Sequence, residues 1–281
     1  MDVQIALDHR SIWTDLTGDS EHLDLIEDTL GSKIAQELGG KSSSGSRMLL
    51  PWVRKSDSRL RILSGILTWA WPEGALWPSV WRMWDHGDDV LEARAQVLEG
   101  IGYRDYQIEA IWTAITAPLG RGILELGTGA GKTYVALGLA YMAGGDWTYV
   151  VYGRDIVKQA GEKFRELQQT LSKIEYPTVP KSKHWNIESY SWGKVPSSTL
   201  VNSVGLITDE CHNVGAKKRA ELISKFKGPY RIGLSGTPLD RTDSGNSLVV
   251  GLLGPNLFTL TVDQLVAMGN LSRGKVVMVR L

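Results

Sequence analysis

Residues 122–143 read GILELGTGAGKTYVALGLAYMA, and no other stretch constrains the architecture as strongly. A short apolar run leads into three glycines, at 127, 129 and 131, and then into a helix-forming segment. Glycine tolerates positive φ and close approach of the backbone, so successive N–H groups and the helix start can point at one anion. The order of strand, glycine turn and helix predicts a phosphate-binding loop.

The predicted loop comprises Gly127, Thr128, Gly129, Ala130, Gly131, Lys132 and Thr133. In loops of this type the lysine bridges the β and γ phosphates of a nucleotide, and the hydroxyl after it holds Mg²⁺. Leu126 stands where the G-x-x-x-x-G-K-[ST] pattern has its first glycine. A structural turn without nucleotide is the alternative, and the flanking strand and helix favour the nucleotide site.

Similar apolar runs recur after residue 100. They are GILEL (122–126), WTYVVY (147–152), VGLITD (204–209) and YRIGLS (230–235), with amphipathic segments such as RDIVKQAGEKFRELQQ (154–169) between them. Short, continuously apolar strands that alternate with helices are typical of a parallel sheet covered on both faces. The sequence therefore predicts an α/β fold in this part of the chain.

An acidic pair, Asp209 and Glu210, follows the third of these runs in LITDECHNVG (206–215). In a phosphate-loop fold, an acid at the end of a second strand can orient the Mg²⁺ waters. We expect Thr133 and Asp209 at neighbouring strand ends, with Glu210 as the base that polarises the attacking water. Two solvated acids that open a loop are the alternative.

A zinc site at Cys211 and His212 is rejected, because the chain has one cysteine and its other histidines are scattered. A single cysteine also forbids an internal disulfide. The N-terminus MDVQIALDHR does not resemble a secretory signal, and no apolar run reaches the length of about 18 residues that a membrane span needs. We expect an intracellular protein without a membrane span.

The zero net charge hides an asymmetry along the chain. Residues 1–99 carry 10 basic and 16 acidic side chains, whereas residues 100–281 carry 21 basic and 15 acidic ones, so the second part is the expected polyanion binder. We predict a mostly helical accessory domain over 1–99 and a second domain over 100–281. The stretch GGKSSSGS (39–46) is typical of a flexible loop or linker.

Residues 46–84 contain six of the eleven tryptophans and six basic side chains. Aromatic rings among arginines can stack on nucleic-acid bases. Alternatively, Trp77, Trp81 and Trp84 share one helix face and form a small core. We favour the core, because buried tryptophan is commoner than an exposed stacking ladder.

Two of these segments resemble motifs of the superfamily 2 helicases and translocases. GTGAGKT (127–133) resembles motif I, and DECH (209–212) resembles a variant of the DEAD/DEAH box. Four more segments follow in the family's order. YRDYQIEAI (103–111) resembles its adenine-reading motif, VVYGRDIVKQ (150–159) motif Ia, NIESYSWG (186–193) motif Ib and LSGTPLDR (234–241) motif III. The segment that begins GLLGPNLF at 251 resembles the end of a first RecA-like domain.

The resemblance implies a RecA-like motor domain that uses ATP and Mg²⁺, with Lys132, Asp209 and Glu210 as catalytic residues and Thr133 and Asp209 at the metal. It implies that Gln107 reads the adenine edge and that Arg104 packs near the base. Coupling between ATP and nucleic acid is implied for His212, Ser235, Gly236 and Thr237, with His212 bonded toward Ser235 or Thr237.

Contact with nucleic acid is implied for Arg154, Ser189 and Tyr190, for which a scaffold role is an equal alternative. The basic run Lys217, Lys218 and Arg219 is interpreted as a solvated helix face.

The function that the resemblance implies is that of an ATP-dependent DNA helicase or branch-remodelling translocase. Within superfamily 2 the chain is similar to the phage UvsW-like, RecG-like and XPB-like branch, which places it in a bacterial or phage-infected cell. Its expected partners are nucleic acid, DNA rather than RNA, and a second RecA-like domain in cis or in trans. No motif IV, V or VI follows, so we expect ATP binding with poor hydrolysis by these residues alone. A restriction-enzyme motor and a nucleotide-regulated binding module without turnover are the alternatives.

Overall fold

A computed structural model describes residues 4–6, 13–37, 52–63, 65–66, 88–174, 184–239 and 245–272 of the chain. The expected linker at 39–46 and the tryptophan face formed by Trp77, Trp81 and Trp84 lie outside these residues. Among the residues that the model describes, no helix combines the length and the apolar character needed to cross a bilayer.

The first part of the chain contains a four-stranded antiparallel sheet and one long helix. The elements are β1 (Gln4–Ala6), β2 (Trp13–Thr17), α1 (Ser20–Glu37), β3 (Trp52–Ser56) and β4 (Arg59–Leu63), and the strand order is β1-β2-β4-β3. The helix agrees with the mostly helical character predicted for residues 1–99. The sheet was not predicted, because its strands span only three to five residues and β3 and β4 mix arginines with aliphatic side chains. The expectation of a mostly helical region therefore missed this sheet.

Opposite charges meet between α1 and β3. The Arg54 guanidinium lies 3.1 Å from the Glu27 carboxylate and 3.2 Å from that of Asp24. Arg54, one of the six basic side chains within residues 46–84, is thus paired with two carboxylates of α1.

Residues from 88 onward form helices around a parallel sheet. The helices are α2 (Asp88–Gly100), α3 (Asp105–Thr116), α4 (Lys132–Ala143), α5 (Arg154–Ser172), α6 (Ser197–Asn202), α7 (Lys217–Lys225), α8 (Gly245–Leu253) and α9 (Val262–Ala267). The strands are β5 (Arg121–Leu126), β6 (Gly145–Val151), β7 (Trp185–Ser191), β8 (Gly205–Asp209), β9 (Tyr230–Ser235) and β10 (Asn256–Leu260). All six strands are parallel, in the order β10-β5-β9-β8-β6-β7. The predicted α/β class is confirmed.

The four apolar runs of the sequence are the four inner strands of this sheet, β5, β6, β8 and β9. The two strands that the apolar runs did not predict, β7 and β10, are its edges. An edge strand has a neighbour on one side only, and most residues of β7 and β10 remain partly exposed. Their sequences therefore lack the continuous apolar run that marks a central parallel strand.

Alternating side chains of the strands serve two separate cores. Leu124, Tyr149 and Ile207 face the core formed with α2 to α5, whereas their neighbours Ile123 and Val150 face the core formed with α6 to α8. This period-two sorting covers both faces of the sheet with helices.

Strand β9 lies between β5, which leads into the glycine loop, and β8, which ends at Asp209. The expectation that Thr133 and Asp209 lie at neighbouring strand ends was therefore wrong by one strand. Because all the strands are parallel, the loop and the acid still emerge at the same carboxyl edge.

Helix α2 ends at the expected domain boundary. Its buried side chains belong to the core that it forms with α3 to α5. Leu91 and Leu98 are fully buried in the cluster that contains the α3 and α4 side chains. The buried Arg94 guanidinium donates to the carbonyls of Tyr141 and Met142, 3.1 and 2.7 Å away, at the C-terminus of α4. The division at residue 100 stays a prediction.

Candidate functional site

The glycine loop has the backbone conformation that its sequence predicts at two of three positions. Gly129 and Gly131 have φ of 89° and 84°, in the region that favours glycine. Gly127 is not among the positive-φ residues; a Cβ there would lie 2.9 Å from the Val262 nitrogen, so glycine is needed for close approach. Gly129 and Thr128 are exposed, and Ala130 is buried. The loop thus exposes Thr128 and Gly129 to solvent and buries Ala130.

Lys132 opens α4, where the first N–H groups of the helix have no intrahelical acceptor. Its Nζ lies 3.1 Å from the Leu126 carbonyl and 3.8 Å from Glu210 Oε1. Only 17 % of the lysine side chain is exposed. A positive charge is therefore held between the glycine loop and the acidic pair.

Gln107, the expected adenine reader, packs against the loop. Its Nε2 donates to the Ala130 carbonyl at 2.9 Å, and its Oε1 accepts from the Arg104 backbone N–H at 3.0 Å. A Cβ at Gly131 would lie 2.4 Å from Gln107 Nε2. The exposed Arg104 is bonded to the Tyr106 hydroxyl at 2.8 Å. These contacts give Gln107 a part in shaping the loop, while adenine reading by Gln107 and Arg104 stays a prediction.

Tyr149 of β6 is a site residue that sequence reasoning missed. Its side chain is 1 % exposed, and its hydroxyl is close enough to the Asp209 and Thr133 side chains for both to act on the pKa of the phenol. Burial first, and then the Asp209 carboxylate, raise the pKa of Tyr149 well above its ordinary value. The run WTYVVY predicts only a buried strand, so no signal in the sequence separated this tyrosine from its apolar neighbours.

The hydroxyl of Tyr149 brings Thr133 and Asp209 together. Thr133 lies at the start of α4 and Asp209 at the end of β8, 76 residues apart in sequence. Both side chains act on the pKa of the same phenol. The two groups expected to hold Mg²⁺ therefore share one small volume.

The surroundings of Asp209 fit a cation. Burial raises the pKa of its carboxyl, the neighbouring Lys132 lowers it, and Glu210 raises it again. Within the described part of the chain, Asp209 Oδ1 is buried and has no hydrogen-bond partner. A buried carboxylate oxygen without a donor is costly unless a positive ligand satisfies it. Mg²⁺ uses one or two protein oxygens together with phosphates and waters, which Thr133 and Asp209 match.

Glu210 has a left-handed backbone, with φ of 49°, which is uncommon for a residue other than glycine. Its carboxylate is 44 % exposed, so one side of the site faces outward. Oε1 faces Lys132, and Oε2 lies 3.4 Å from both the Ser235 hydroxyl and His212 Nδ1. The turn therefore directs the Glu210 carboxylate toward Lys132 and the end of β9.

His212 makes the contact with Ser235 expected from the sequence. Its Nδ1 lies 3.1 Å from Ser235 Oγ, and its Nε2 lies 2.8 Å from the Asn213 amide nitrogen. An amide nitrogen can only donate, so Nε2 accepts and Nδ1 carries the proton in this arrangement. The same Ser235 hydroxyl accepts from the Thr237 N–H at 3.2 Å. The acidic turn is thus bonded to the expected motif III.

Gly236 and Cys211, two more residues of these motifs, lie against neighbouring strands and the glycine loop. Gly236 lies beside the base of the glycine loop, since a Cβ there would be 3.5 Å from the Leu126 carbonyl. Cys211 is fully buried, and burial raises the pKa of its thiol. Its sulfur packs against Gly233, where a Cβ would lie 2.9 Å away.

The three expected nucleic-acid residues lie on the β6–α5–β7 side of the sheet. Arg154 is exposed at the start of α5. The Ser189 hydroxyl donates to the Val157 carbonyl at 2.8 Å, and the Tyr190 hydroxyl donates to Glu188. Ser189 and Tyr190 therefore have internal partners, and nucleic-acid contact by all three residues stays a prediction.

Comparison with known proteins adds to this geometry. A family model described as "Type III restriction enzyme, res subunit" matches residues 100–240. The DNA 3'-5' translocase XPB2 of Sulfurisphaera tokodaii is 30 % identical over 170 residues, which cover 60 % of this chain and 38 % of the relative. Putative helicase 22 of a Sulfolobus islandicus filamentous virus is 27 % identical over 189 residues, covering 60 % of this chain and 34 % of the relative. The chain thus spans little more than a third of the length of these relatives.

A similar solved structure is the UvsW helicase from bacteriophage T4. It superposes with a TM-score of 0.62 at 16 % sequence identity, over 92 % of this chain and 100 % of that one. At this identity the likeness concerns the fold, which extends to both sheets of the chain.

Proposed function

The chain belongs to the family of the type III restriction enzyme res subunit and carries the RecA-like motor domain of a superfamily 2 helicase, and we propose that it powers ATP-dependent translocation along DNA. Family membership supports ATP use and nucleic-acid binding, the general properties of helicases. The choice of DNA is supported by the DNA translocase among the relatives. Remodelling of branched DNA is the activity we propose for the whole protein.

One observation carries the proposal. The glycine loop, a carboxylate with one buried oxygen and an outward-facing carboxylate converge at one edge of the sheet, with Lys132 Nζ 3.8 Å from Glu210 Oε1 and with Thr133 and Asp209 both acting on the Tyr149 phenol. A phosphate-binding loop with two acids of different burial is the set of groups that phosphoryl transfer to water requires.

We assign the roles as follows. Lys132 and the N–H groups of the loop bind phosphate oxygens, and Thr133 and Asp209 would hold Mg²⁺. When bound, ATP supplies the phosphoryl group, and the metal neutralises charge that develops on it. Glu210 accepts the proton of the attacking water on Oε1, the carboxylate oxygen that faces Lys132.

Residues at the end of β9 would sense that reaction. Ser235 contacts both Glu210 and His212, so we propose that a change at the Glu210 carboxylate reaches motif III through this hydroxyl. Gly236 and Thr237 extend the same segment past the base of the glycine loop.

Efficient hydrolysis would require a second RecA-like domain, in cis or in trans. The exposed side of Glu210 supports this part of the proposal, because an open site leaves the reacting groups in water. Arginines supplied across such a cleft accelerate phosphoryl transfer by about 10³- to 10⁵-fold in phosphate-loop enzymes.

The test is ATP turnover by this chain with its second motor domain, measured alone and with single-stranded, duplex, forked and RNA substrates. Stimulation by forked or branched DNA above the other substrates is expected. Tight nucleic-acid binding without turnover on any substrate would instead support a nucleotide-regulated binding module.

A restriction-enzyme motor is the second candidate, because the matching family model carries that description. A motor of this kind acts with a nuclease. ATP-dependent cleavage of duplex DNA by the whole protein would favour it, whereas fork remodelling without cleavage would favour the first candidate.

A further inference from the structure

Two aromatic side chains lie next to each other where β6 and β7 end. Tyr152 follows β6 and Trp192 follows β7, and the preceding residues, Val151 and Ser191, are register partners. The Trp192 backbone N–H donates to the Val151 carbonyl at 3.3 Å, which continues the pairing. The Arg219 guanidinium of α7 lies 5.6 Å from the Tyr152 ring centre and 5.5 Å from that of Trp192. One cation is thus shared by two rings.

The three side chains differ in how firmly they are held. Arg219 donates to the Asn213 carbonyl at 3.0 Å, so the interpretation of this residue as part of a solvated helix face was wrong. Trp192 packs on the core beneath the sheet. Tyr152, in contrast, is 65 % exposed. Arg219 and Trp192 are therefore held by the protein, whereas the Tyr152 ring beside them faces solvent. Packing within the protein does not explain this exposed aromatic ring.

Basic side chains predominate next to these three residues along the chain. Four exposed cations lie within two residues of Tyr152, Trp192 or Arg219 along the chain: Arg154, Lys194, Lys217 and Lys218. One exposed carboxylate, Glu221, lies within the same distance. An aromatic face among cations matches an unpaired base, which stacks, joined to phosphates, which are attracted. A folded acidic protein would satisfy the cations and leave the ring without a partner.

We propose that Tyr152, Trp192 and Arg219 form a stacking site for an unpaired base of single-stranded nucleic acid. The inference deepens the proposed function and rests on it for the choice of partner. Tyr152 supplies the stacking face, Arg219 and Trp192 hold that face in place, and the surrounding lysines and Arg154 bind the backbone.

The site is joined to the acidic turn by a short series of contacts. Arg219 donates to the Asn213 carbonyl, and the Asn213 side chain is bonded to His212 Nε2 at 2.8 Å. The base-stacking site and the site of ATP therefore share Asn213 as a common neighbour.

The experiment uses the full chain and a 15-nucleotide single strand that carries the fluorescent base 2-aminopurine, with a duplex of the same length for comparison. Stacking quenches the fluorescence of this base, and anisotropy gives the Kd at fixed salt. We expect Tyr152→Ala to weaken single-strand binding about tenfold and to abolish the quenching, because base–aromatic stacking commonly contributes this much. Tyr152→Phe keeps the ring and should behave as the parent.

Two controls separate stacking from charge and from fold. Lys218→Ala should weaken single-strand and duplex binding alike, since a phosphate contact does not distinguish them. The duplex Kd of Tyr152→Ala should stay at the parent value, which also reports an intact fold. Equal single-strand affinity and quenching in the parent and Tyr152→Ala would overturn the stacking site.

The outcomes for the stacking site and for the motor are distinct. If the parent binds Mg²⁺–ATP and oligonucleotide but Tyr152→Ala matches it, the stacking site fails and the proposed motor stands. If the parent shows quenching that Tyr152 controls but binds no nucleotide, the motor fails and the stacking site stands. If the parent binds no nucleic acid, both fail.

Discussion

Replacing Tyr149 by phenylalanine tests whether the two metal-binding groups are organised by one hydroxyl. The substitution removes a single oxygen and keeps the ring, which packs edge-on against Phe164 with ring centres 5.4 Å apart. Because Tyr149 is 1 % exposed, the substitution changes the surroundings of Asp209 and Thr133 without removing a side chain from the surface.

The expected cost follows from the chemistry of that contact. A hydrogen bond to a charged group contributes about 1.5–3 kcal/mol, and the variant also avoids burying a hydroxyl, so about 1.5 kcal/mol is a reasonable net loss. For a chain of this size that loss corresponds to a fall in Tm of about 3–6 °C, measured in EDTA. Groups that orient metal ligands commonly change metal affinity 10- to 100-fold, so Mg²⁺-dependent ATP affinity should fall about tenfold.

Tyr230→Phe is the matched control. Tyr230 is also buried, at 5 % exposure, and stacks on Trp147 with ring centres 5.3 Å apart, but it begins β9 at the opposite edge of the sheet. Burial alone raises the pKa of its phenol. This variant should keep the parent's Mg²⁺ dependence. Unchanged Tm and unchanged Mg²⁺–ATP affinity in Tyr149→Phe would refute the shared-hydroxyl reasoning.

Three further substitutions test the individual charges of the site. Lys132→Ala should weaken ATP binding at least tenfold in a fluorescent-nucleotide titration, because the lysine is the cation between loop and acids; the partly exposed Lys163→Ala is its control, and equal affinities would contradict the phosphate role. Glu210→Gln should bind ATP as the parent does and lose turnover about 10²-fold or more in the intact motor, as seen in single-turnover assays; normal turnover would move the base elsewhere. Asp209→Asn tests a pH dependence. Because the folded-state pKa of Asp209 is raised above its ordinary value of 3.8, the parent loses stability as pH rises from that value through the folded pKa, and the variant does not. In EDTA the Tm difference should therefore shift in favour of Asp209→Asn between pH 4 and pH 8, and a pH-independent difference would show that the folded state does not raise this pKa.

The sequence predicted the parts of the fold that depend on complete burial. The four inner strands are continuous apolar runs, because both of their faces and both of their edges are covered. The edge strands β7 and β10 and the small antiparallel sheet escaped prediction, since partial exposure permits polar side chains at most of their positions. Strand order was also beyond reach, because it depends on how helices fill two faces and no local pattern records it.

The candidate site divides in the same way. Gly129, Gly131 and Lys132 could be predicted because a phosphate loop imposes residue types at fixed spacing, and the two glycines have the expected positive φ. Tyr149 and Arg219 were missed or misread, because each acts through a neighbour that is distant in sequence. A buried strand tyrosine and a helix-surface arginine are ordinary residues until the fold supplies those neighbours.

The placement of β9 between β5 and β8 governs when the site can first exist during synthesis. The glycine loop and Asp209 leave the ribosome before the strand that lies between β5 and β8, since β9 ends at Ser235. A nascent chain that stops at residue 228 therefore holds both halves of the site with no strand between them. If the chain binds nucleotide as proposed, we expect nucleotide to protect it from proteolysis only after that last central strand has been made.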